Sequence, residues 1–161
     1  VSTQSTGFTT LFYGAIVNQI LEQEQDPVKT TEMLRQFGEK IGEKLVDDFV
    51  AHQQNQIPSL NTLGKALQAG IMYFLDLTES DVKIKQDRDS EFEEKAVEIE
   101  ILNNPLLKFI KLPKQLEGLR YSEVIPGAVY GALKQVGMDG DVRMLDKDKV
   151  LSVKIKPKIL K

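Results

Sequence analysis

The segment Phe37–Phe49 has the sequence FGEKIGEKLVDDF, and the rest of the fold can be worked out from it. Its apolar residues recur every three or four positions, which predicts an amphipathic helix from about residue 30 to residue 54. Gly38 and Gly42 lie four residues apart on one face of this helix. Each interior glycine costs about 1 kcal/mol relative to alanine, so we expect another backbone to approach this face closely. The alternative is that both glycines are merely tolerated.

Upstream of this segment, the sequence predicts another helix that begins near Phe8. One apolar stripe contains Leu11, Phe12, Ala15 and Ile16, and a second contains Tyr13, Val17 and Leu21. A helix that is apolar on two sides is either deeply buried or shared with a partner chain. Between the two helices, Asp26 and Pro27 provide an N-cap and a proline at the first helical position.

Downstream of this segment, the periodicity changes from helix to strand and back again. Leu63 to Leu77 predicts a third helix, and a fourth helix starts at Ser122 as a plausible N-cap. Alternating apolar residues predict strands at residues 81–85, 96–101, 141–144 and 151–156. The order α-α-α-β-β-α-β-β predicts one α+β domain over residues 1–161, with a four-stranded antiparallel sheet covered on one face by helices.

Composition excludes several classes of function. The 161 residues are 41% hydrophobic and carry a net charge of −3, which argues against a nucleic-acid partner. The chain has no cysteine, so disulfides, thiolate catalysis and S-acylation are excluded. No apolar run is long enough to span a bilayer, and the first residues lack a secretory signal. We expect a cytoplasmic protein with at most peripheral membrane contact.

The sequence contains little evidence for catalytic residues. Asp47 and Asp48 are adjacent on a helix, so their carboxylates diverge by about 100° and do not share a site. The single histidine, His52, ends the second helix and has the position of a C-terminal cap. Gly118, Gly137 and Gly140 fit no phosphate-binding loop. We therefore predict no catalytic residue, no metal site, no cofactor and no enzymatic activity.

The C-terminal residues 147–161 are basic, with six lysines and one aspartate. Lysines of this kind commonly protect an edge strand from pairing with other chains. Alternatively, they form a patch for an acidic protein or for anionic lipid headgroups.

Several segments together resemble the Bet-three family of TRAPP (transport protein particle) subunits. The resemblance runs from about Leu11 to Met138. The Phe37–Phe49 segment resembles the family's G-x-x-I-G-x-[KR]-L-[IV]-[DE]-[DE]-F helix. The other similar motifs are Tyr13-Gly14-Ala15-Ile16-Val17, Asn103-Asn104-Pro105-Leu106 with Phe109 and Leu112-Pro113, and Tyr121-Ser122 with Gly127, Gly131-Ala132-Leu133 and Val136.

The resemblance implies an α/β-plait subunit that pairs through its first two helices, as a homodimer or as a heterodimer with a related TRAPP subunit. Such subunits build complexes that tether transport vesicles and support nucleotide exchange on a Rab-type GTPase, peripherally at Golgi or ER membranes in eukaryotes. A prokaryotic, archaeal relative acting as a homodimer is a further interpretation. The expected interface residues are Leu11, Phe12, Ala15, Ile16, Gly38, Ile41, Gly42, Leu45 and Phe49.

The family's founding subunit carries an acylated cysteine just before the third helix, with its lipid chain in an internal channel. The corresponding stretch here, near Ile57-Pro58-Ser59, has no cysteine, so a channel would be empty, collapsed or open to a free lipid. A small-molecule or lipid sensor of the vinyl-reductase type is the alternative function, and plain core packing is the alternative role for the same residues. The expected channel residues are Leu67, Gly70, Ile71, Phe74, Ile125, Ala128 and Val129.

Overall fold

The structure is a computed structural model that describes residues 3–54, 59–88, 95–107, 118–146 and 148–156, with side chains from residue 11 onward. Its elements follow the predicted order and confirm the predicted fold class. The helices are α1 (Thr3–Glu24), α2 (Pro27–His52), α3 (Leu63–Leu75) and α4 (Val124–Gln135). The strands are β1 (Val82–Arg88), β2 (Lys95–Ile101), β3 (Gly140–Leu145) and β4 (Val150–Ile155), and short 3-10 turns occupy Leu60–Thr62 and Pro105–Leu107.

The four strands form one antiparallel sheet in the order β1-β2-β4-β3. Alternate side chains of each strand point to opposite faces, so an alternating sequence gives one apolar face and one polar face. On β2 this alternation is regular, with every second residue buried. The buried apolar residues of the sheet are Val82, Val97, Ile99, Ile101, Val142, Met144, Val150, Leu151, Val153 and Ile155.

The helices stack on the sheet in two steps. Helix α3 contacts β1 and β2, and α4 contacts β3. Helix α2 packs on α4, and α1 packs on α2 and on the 105–107 turn. As a result, α1 and α2 lie farthest from the sheet, and the space between α2, α3 and α4 is enclosed by helices.

The predicted N-cap of α2 is confirmed, and that of α4 needs correction. The Asp26 side chain accepts a hydrogen bond from the Val28 N–H at 2.9 Å, and Pro27 is the first residue of α2, so the helix starts three residues earlier than the apolar periodicity indicated. Helix α4 is preceded by Glu123 as its N-cap residue, so the prediction for Ser122 was wrong. The Ser122 hydroxyl accepts a hydrogen bond from the Asn104 side chain at 3.0 Å instead.

Some predicted features lie outside the described residues. These are Ile57 and Pro58 of the loop before α3, the stretch that contains Phe109 and Pro113, and the basic tail after Lys156. Within the described ranges, none of the helices is both long and apolar enough to cross a bilayer.

Candidate functional site

Helices α2 and α4 touch through their backbones at four glycines. A Cβ atom added to Gly42 would overlap the Ala128 carbonyl, and one added to Gly38 would overlap the Val124 carbonyl oxygen. From the other helix, Cβ atoms added to Gly127 and Gly131 would overlap the carbonyl oxygens of Arg35 and Glu39. Each helix therefore supplies two glycines four residues apart, and each pair accommodates the backbone of the other helix.

This contact corrects the assignment of Gly38 and Gly42 to a dimer interface. The predicted close approach exists, but the approaching backbone is α4 of the same chain. Gly38 and Gly42 are buried there and present no surface to a partner. The signal that identifies α4 was already in the sequence, because Gly127 and Gly131 repeat the four-residue spacing.

Next to this contact, helices α2, α3 and α4 line an apolar cavity of about 100 Å³ that is partly open to solvent. All seven residues of the predicted channel line it, so the structure brings them together around one space. They come from α3 and α4, and the contribution of α2 to the wall was not predicted. The other lining residues are Gly42, Leu45, Val46, Phe49, Leu63, Ala66, Tyr73, Ala132, Leu133 and Val136.

Three residues of the predicted interface, Gly42, Leu45 and Phe49, belong to this wall. Leu45 and Phe49 line the cavity, where the sequence analysis placed them on a partner-facing surface. Helical periodicity assigns both to the apolar side of α2, but it cannot distinguish an internal cavity from a partner chain. Ile41, one turn earlier, is partly buried against the core.

Aromatic side chains border the cavity where it meets solvent. The Phe49 ring lies against Gly70, with its Cζ atom 3.9 Å from the position of an added Cβ. Phe49 also contacts Tyr73, with 5.9 Å between ring centroids, and Tyr73 is 42% exposed. The His52 ring lies 5.3 Å from the Tyr73 ring. We call Phe49, His52 and Tyr73 the aromatic rim.

The remaining predicted interface residues lie on the outer side of α1. Leu11 is 72% exposed and Phe12 is 60% exposed, Ala15 is exposed, and Ile16 is half-buried. Tyr13 and Val17, on the other side of the helix, are buried in the core. Two further apolar residues, Met33 and Phe37, are exposed one turn apart on α2 and were not predicted as interface residues.

The described residues contain no group of three or more His, Cys, Asp or Glu side chains placed to hold a metal ion. Asp47 and Asp48 are exposed on α2. His52 has the predicted position in the last turn of α2, with Nδ1 2.9 Å from the Asp48 carbonyl oxygen. The cavity wall is apolar, so it offers packing and exclusion of water to a ligand and no charged group.

Perturbed ionisable groups gather elsewhere, where α1 meets the start of α4. Burial raises the pKa of the Tyr13 and Tyr121 hydroxyls and of the Glu123 and Asp148 carboxyls. On the exposed loop before β1, hydrogen bonds from Asn103 and Thr78 lower the pKa of Asp81. Tyr13, Tyr121, Glu123 and Asp148 do not line the cavity.

The family model of the transport protein particle (TRAPP) component matches residues 9–156. The chain belongs to this family. It is thus a trafficking-complex subunit, and its family implies association with other TRAPP subunits.

Curated relatives of this TRAPP subunit carry matching names. The trafficking protein particle complex subunit 3 homolog of Caenorhabditis briggsae is 32% identical over 131 residues, which are 78% of this chain and 69% of that protein. Subunit BET3 of Saccharomyces cerevisiae is 29% identical over 145 residues, covering 86% of this chain and 70% of that one. These relatives are named as trafficking components.

A solved structure shares the fold. The crystal structure of a trafficking protein particle complex subunit 3 from Naegleria fowleri, covalently bound to palmitic acid, superposes with a TM-score of 0.78. The match covers 99% of this chain and 100% of that chain at 21% sequence identity. At this identity the match demonstrates the α/β-plait architecture, as the sequence predicted.

Proposed function

We propose that this TRAPP subunit is a non-catalytic scaffold, which pairs through α1 with a second copy or a related subunit and supports nucleotide exchange on a Rab-type GTPase within a vesicle-tethering complex. The observation that supports it most directly is the exposed apolar face of α1. The family assignment supports it independently, because relatives are named as subunits of a trafficking complex.

Exposure of the outer, apolar side of α1 to water is energetically unfavourable. Leu11 and Phe12 are adjacent and mostly exposed, whereas Tyr13 and Val17 already supply the contacts to the chain's own core. Burying a leucine or phenylalanine side chain fully stabilises a structure by about 1.5–3 kcal/mol. Leu11 lies one turn from Ala15, and Phe12 lies one turn from Ile16, so these apolar side chains group on the outer side of α1. Grouped exposed apolar side chains are characteristic of an interaction surface. Met33 and Phe37 add exposed apolar area on α2, the helix against which α1 packs.

The proposal predicts that replacing both Leu11 and Phe12 by glutamate dissociates the pair. Two charges on this face would have to be desolvated in the interface, which lowers the association constant by at least tenfold. Sedimentation velocity at micromolar concentration should show a dimer for the native chain and a monomer for the double variant. Leu145→Glu is the matched control, because Leu145 is also an exposed apolar residue but lies on β3, outside the proposed α1 interface.

A chain that sediments as a monomer, both alone and when coexpressed with related TRAPP subunits, would contradict the pairing. Affinity capture followed by mass spectrometry then tests the complex itself. We expect other TRAPP-family subunits in the native sample and their loss in the Leu11→Glu/Phe12→Glu variant. Added GTPase and labelled nucleotide test the exchange reaction in the captured assembly.

The cavity favours a second candidate function, reversible binding of an apolar molecule such as a free acyl chain. The Naegleria fowleri relative is covalently bound to palmitic acid. This chain has no cysteine, so a thioester cannot form and any occupant must be held without a covalent bond. The apolar wall, with Phe49 and Tyr73 at its edge, matches an uncharged hydrocarbon segment.

The cavity size limits this candidate. Its volume of about 100 Å³ is smaller than the roughly 150 Å³ of an apolar cavity that binds benzene. A long acyl chain therefore requires the aromatic rim to move outward, while a short chain requires less movement. Octanoic and palmitic acids are accordingly the two probes to compare.

We expect Gly70→Leu to abolish binding, because its side chain would project from α3 into the cavity beside Phe49. Native mass spectrometry after incubation with each fatty acid measures the bound fraction directly. Ala51→Leu is the matched control, since Ala51 is exposed at the end of α2 and does not line the cavity. Equal binding by both variants, or no binding by the native chain, would argue against an acyl-chain site here.

A further inference from the structure

A buried polar cluster fastens α1 to the start of α4. The Tyr13 hydroxyl donates a hydrogen bond to the Tyr121 carbonyl oxygen and accepts one from the Val124 N–H. The two tyrosine rings form an edge-to-face pair with centroids 5.2 Å apart. Val124 is the first residue of α4, so this one hydroxyl links α1 to the segment 118–123 and to the helix that follows it.

Glu123 lies beside this link and is incompletely paired. Its side chain is 9% exposed, and Oε1 accepts a hydrogen bond from Arg35 Nη1 at 3.2 Å. Oε2 is buried and has no hydrogen-bond partner among the described residues. The side chain also makes no capping bond to the first turn of α4. A buried carboxylate oxygen without a donor has lost its hydration and gained nothing in exchange.

The charged and titratable groups around Glu123 come from four parts of the fold. Arg35 faces it from α2, Tyr13 from α1, Arg120 from the segment before α4, and Asp148 from the β3–β4 turn. Burial raises the pKa of Glu123, the hydrogen bond and charge of Arg35 and the charge of Arg120 oppose that rise, and the charge of Asp148 adds to it. Burial likewise raises the pKa of Asp148, which Arg120 opposes. The two carboxyls thus disfavour each other's charge.

We propose that Glu123 is a proton-responsive residue, and that its protonation stabilises the junction between α2, the start of α4 and the β3–β4 turn. Protonation converts the buried carboxylate to a neutral carboxyl, which reduces the desolvation cost at Oε2 and removes the repulsion with Asp148, while it gives up the ion pair with Arg35. The Arg35 hydrogen bond to Oε1 is retained, because a neutral carboxyl still offers an acceptor. The contacts of Glu123 lie within one chain, so its response to pH does not require dimer formation or a ligand.

The direction of the effect follows from proton linkage. Because the folded chain holds the Glu123 proton more tightly than the unfolded chain does, this group contributes stability that is fully present below its unfolded pKa. That stability is lost as pH rises through the higher, folded pKa. Mild acidification from neutral pH therefore stabilises this junction, because burial raises the pKa of Glu123 by more than the ion pair with Arg35 lowers it.

The test compares thermal unfolding of the native chain and Glu123→Gln between pH 8 and pH 5. Glutamine keeps the shape and the acceptor for Arg35 but does not titrate in this range. We expect the melting temperature of the native chain to rise relative to that of the variant by about 2–4 °C as pH falls. Glu79→Gln is the control, because Glu79 is exposed in the loop before β1 and should give a curve parallel to the native one.

Two measurements keep the proposal falsifiable if Glu123→Gln folds poorly. In the native chain, hydrogen exchange in the first turn of α4, corrected for intrinsic rates, should slow at pH 5 relative to pH 7.5. In Asp148→Asn, NMR titration of labelled glutamate carboxyls should move the Glu123 midpoint to lower pH, because the repelling charge is gone. Asparagine tolerates the positive φ of 66° at this position. Parallel melting curves, or a Glu123 midpoint at or below that of the exposed glutamates, would overturn the proposal.

Discussion

At the scale of single residues, the packing of α2 against α4 depends on four positions where no side chain can be present. Gly38 and Gly42 face α4, Gly127 and Gly131 face α2, and each meets a main-chain carbonyl oxygen at a distance that excludes a Cβ atom. Backbone cannot move aside as the end of a flexible side chain can. Glycine at these positions therefore costs helix propensity but permits a helix contact that alanine would prevent.

Not every glycine in the helices has this role, and that difference yields a prediction. Gly42→Ala should destabilise the chain by about 1–3 kcal/mol, because α2 and α4 must separate to admit the methyl group. Gly70→Ala should be neutral or stabilising by up to about 1 kcal/mol, because the added Cβ meets only the Phe49 ring at 3.9 Å. Urea unfolding of both variants beside the native chain measures the difference. A Gly42→Ala chain as stable as Gly70→Ala would be inconsistent with a backbone contact at Gly42.

At the scale of elements, α1 has two different sides. Its inner side inserts Tyr13 and Val17 into the core, and its outer side leaves Leu11 and Phe12 exposed. The Tyr13 hydroxyl determines how firmly the inner side is held, since it bonds both to the Tyr121 carbonyl and to the first N–H of α4. The position of the exposed face therefore depends on a polar contact at the other side of the same helix.

Removing this hydroxyl should loosen α1 selectively. Tyr13→Phe keeps the ring pair with Tyr121 but leaves a buried carbonyl oxygen and a buried N–H without this partner, at a cost of about 1–3 kcal/mol. Hydrogen exchange should accelerate in α1 more than in β2 and β4. Tyr73→Phe removes a hydroxyl from a largely exposed residue and provides the comparison. If both variants exchange like the native chain, the hydroxyl does not hold α1.

At the scale of the whole molecule, periodicity was enough to predict the sheet and the layer of helices over it. The strands of this antiparallel sheet alternate clearly, and the channel residues on α3 and α4 share the face that the helical spacing assigned to them. Which surfaces meet was harder to predict. Gly38 and Gly42 indicate a close approach without identifying the approaching backbone, and Leu45 and Phe49 are apolar whether they face a cavity or a partner.

The polar cluster around Glu123 could not be predicted from the sequence, for a different reason. Glu123 and Asp148 come from distant parts of the chain, and neither stands in an apolar run that would mark it as buried. Their proximity arises only when the β3–β4 turn and the segment before α4 are brought together by the fold. Ser122 was predicted as the N-cap from its residue type, and the Asn104 side chain engages its hydroxyl from a separate segment.

The glycine contact between α2 and α4 has a consequence for how such proteins diversify. A junction formed by main-chain atoms places no requirement on the chemistry of the side chains beside it, so the outward positions of α2 can change in size and charge while the helix spacing stays constant. Gene duplicates built on this frame can thus acquire separate binding specificities by surface substitution alone. Complexes assembled from several related chains can arise in this way.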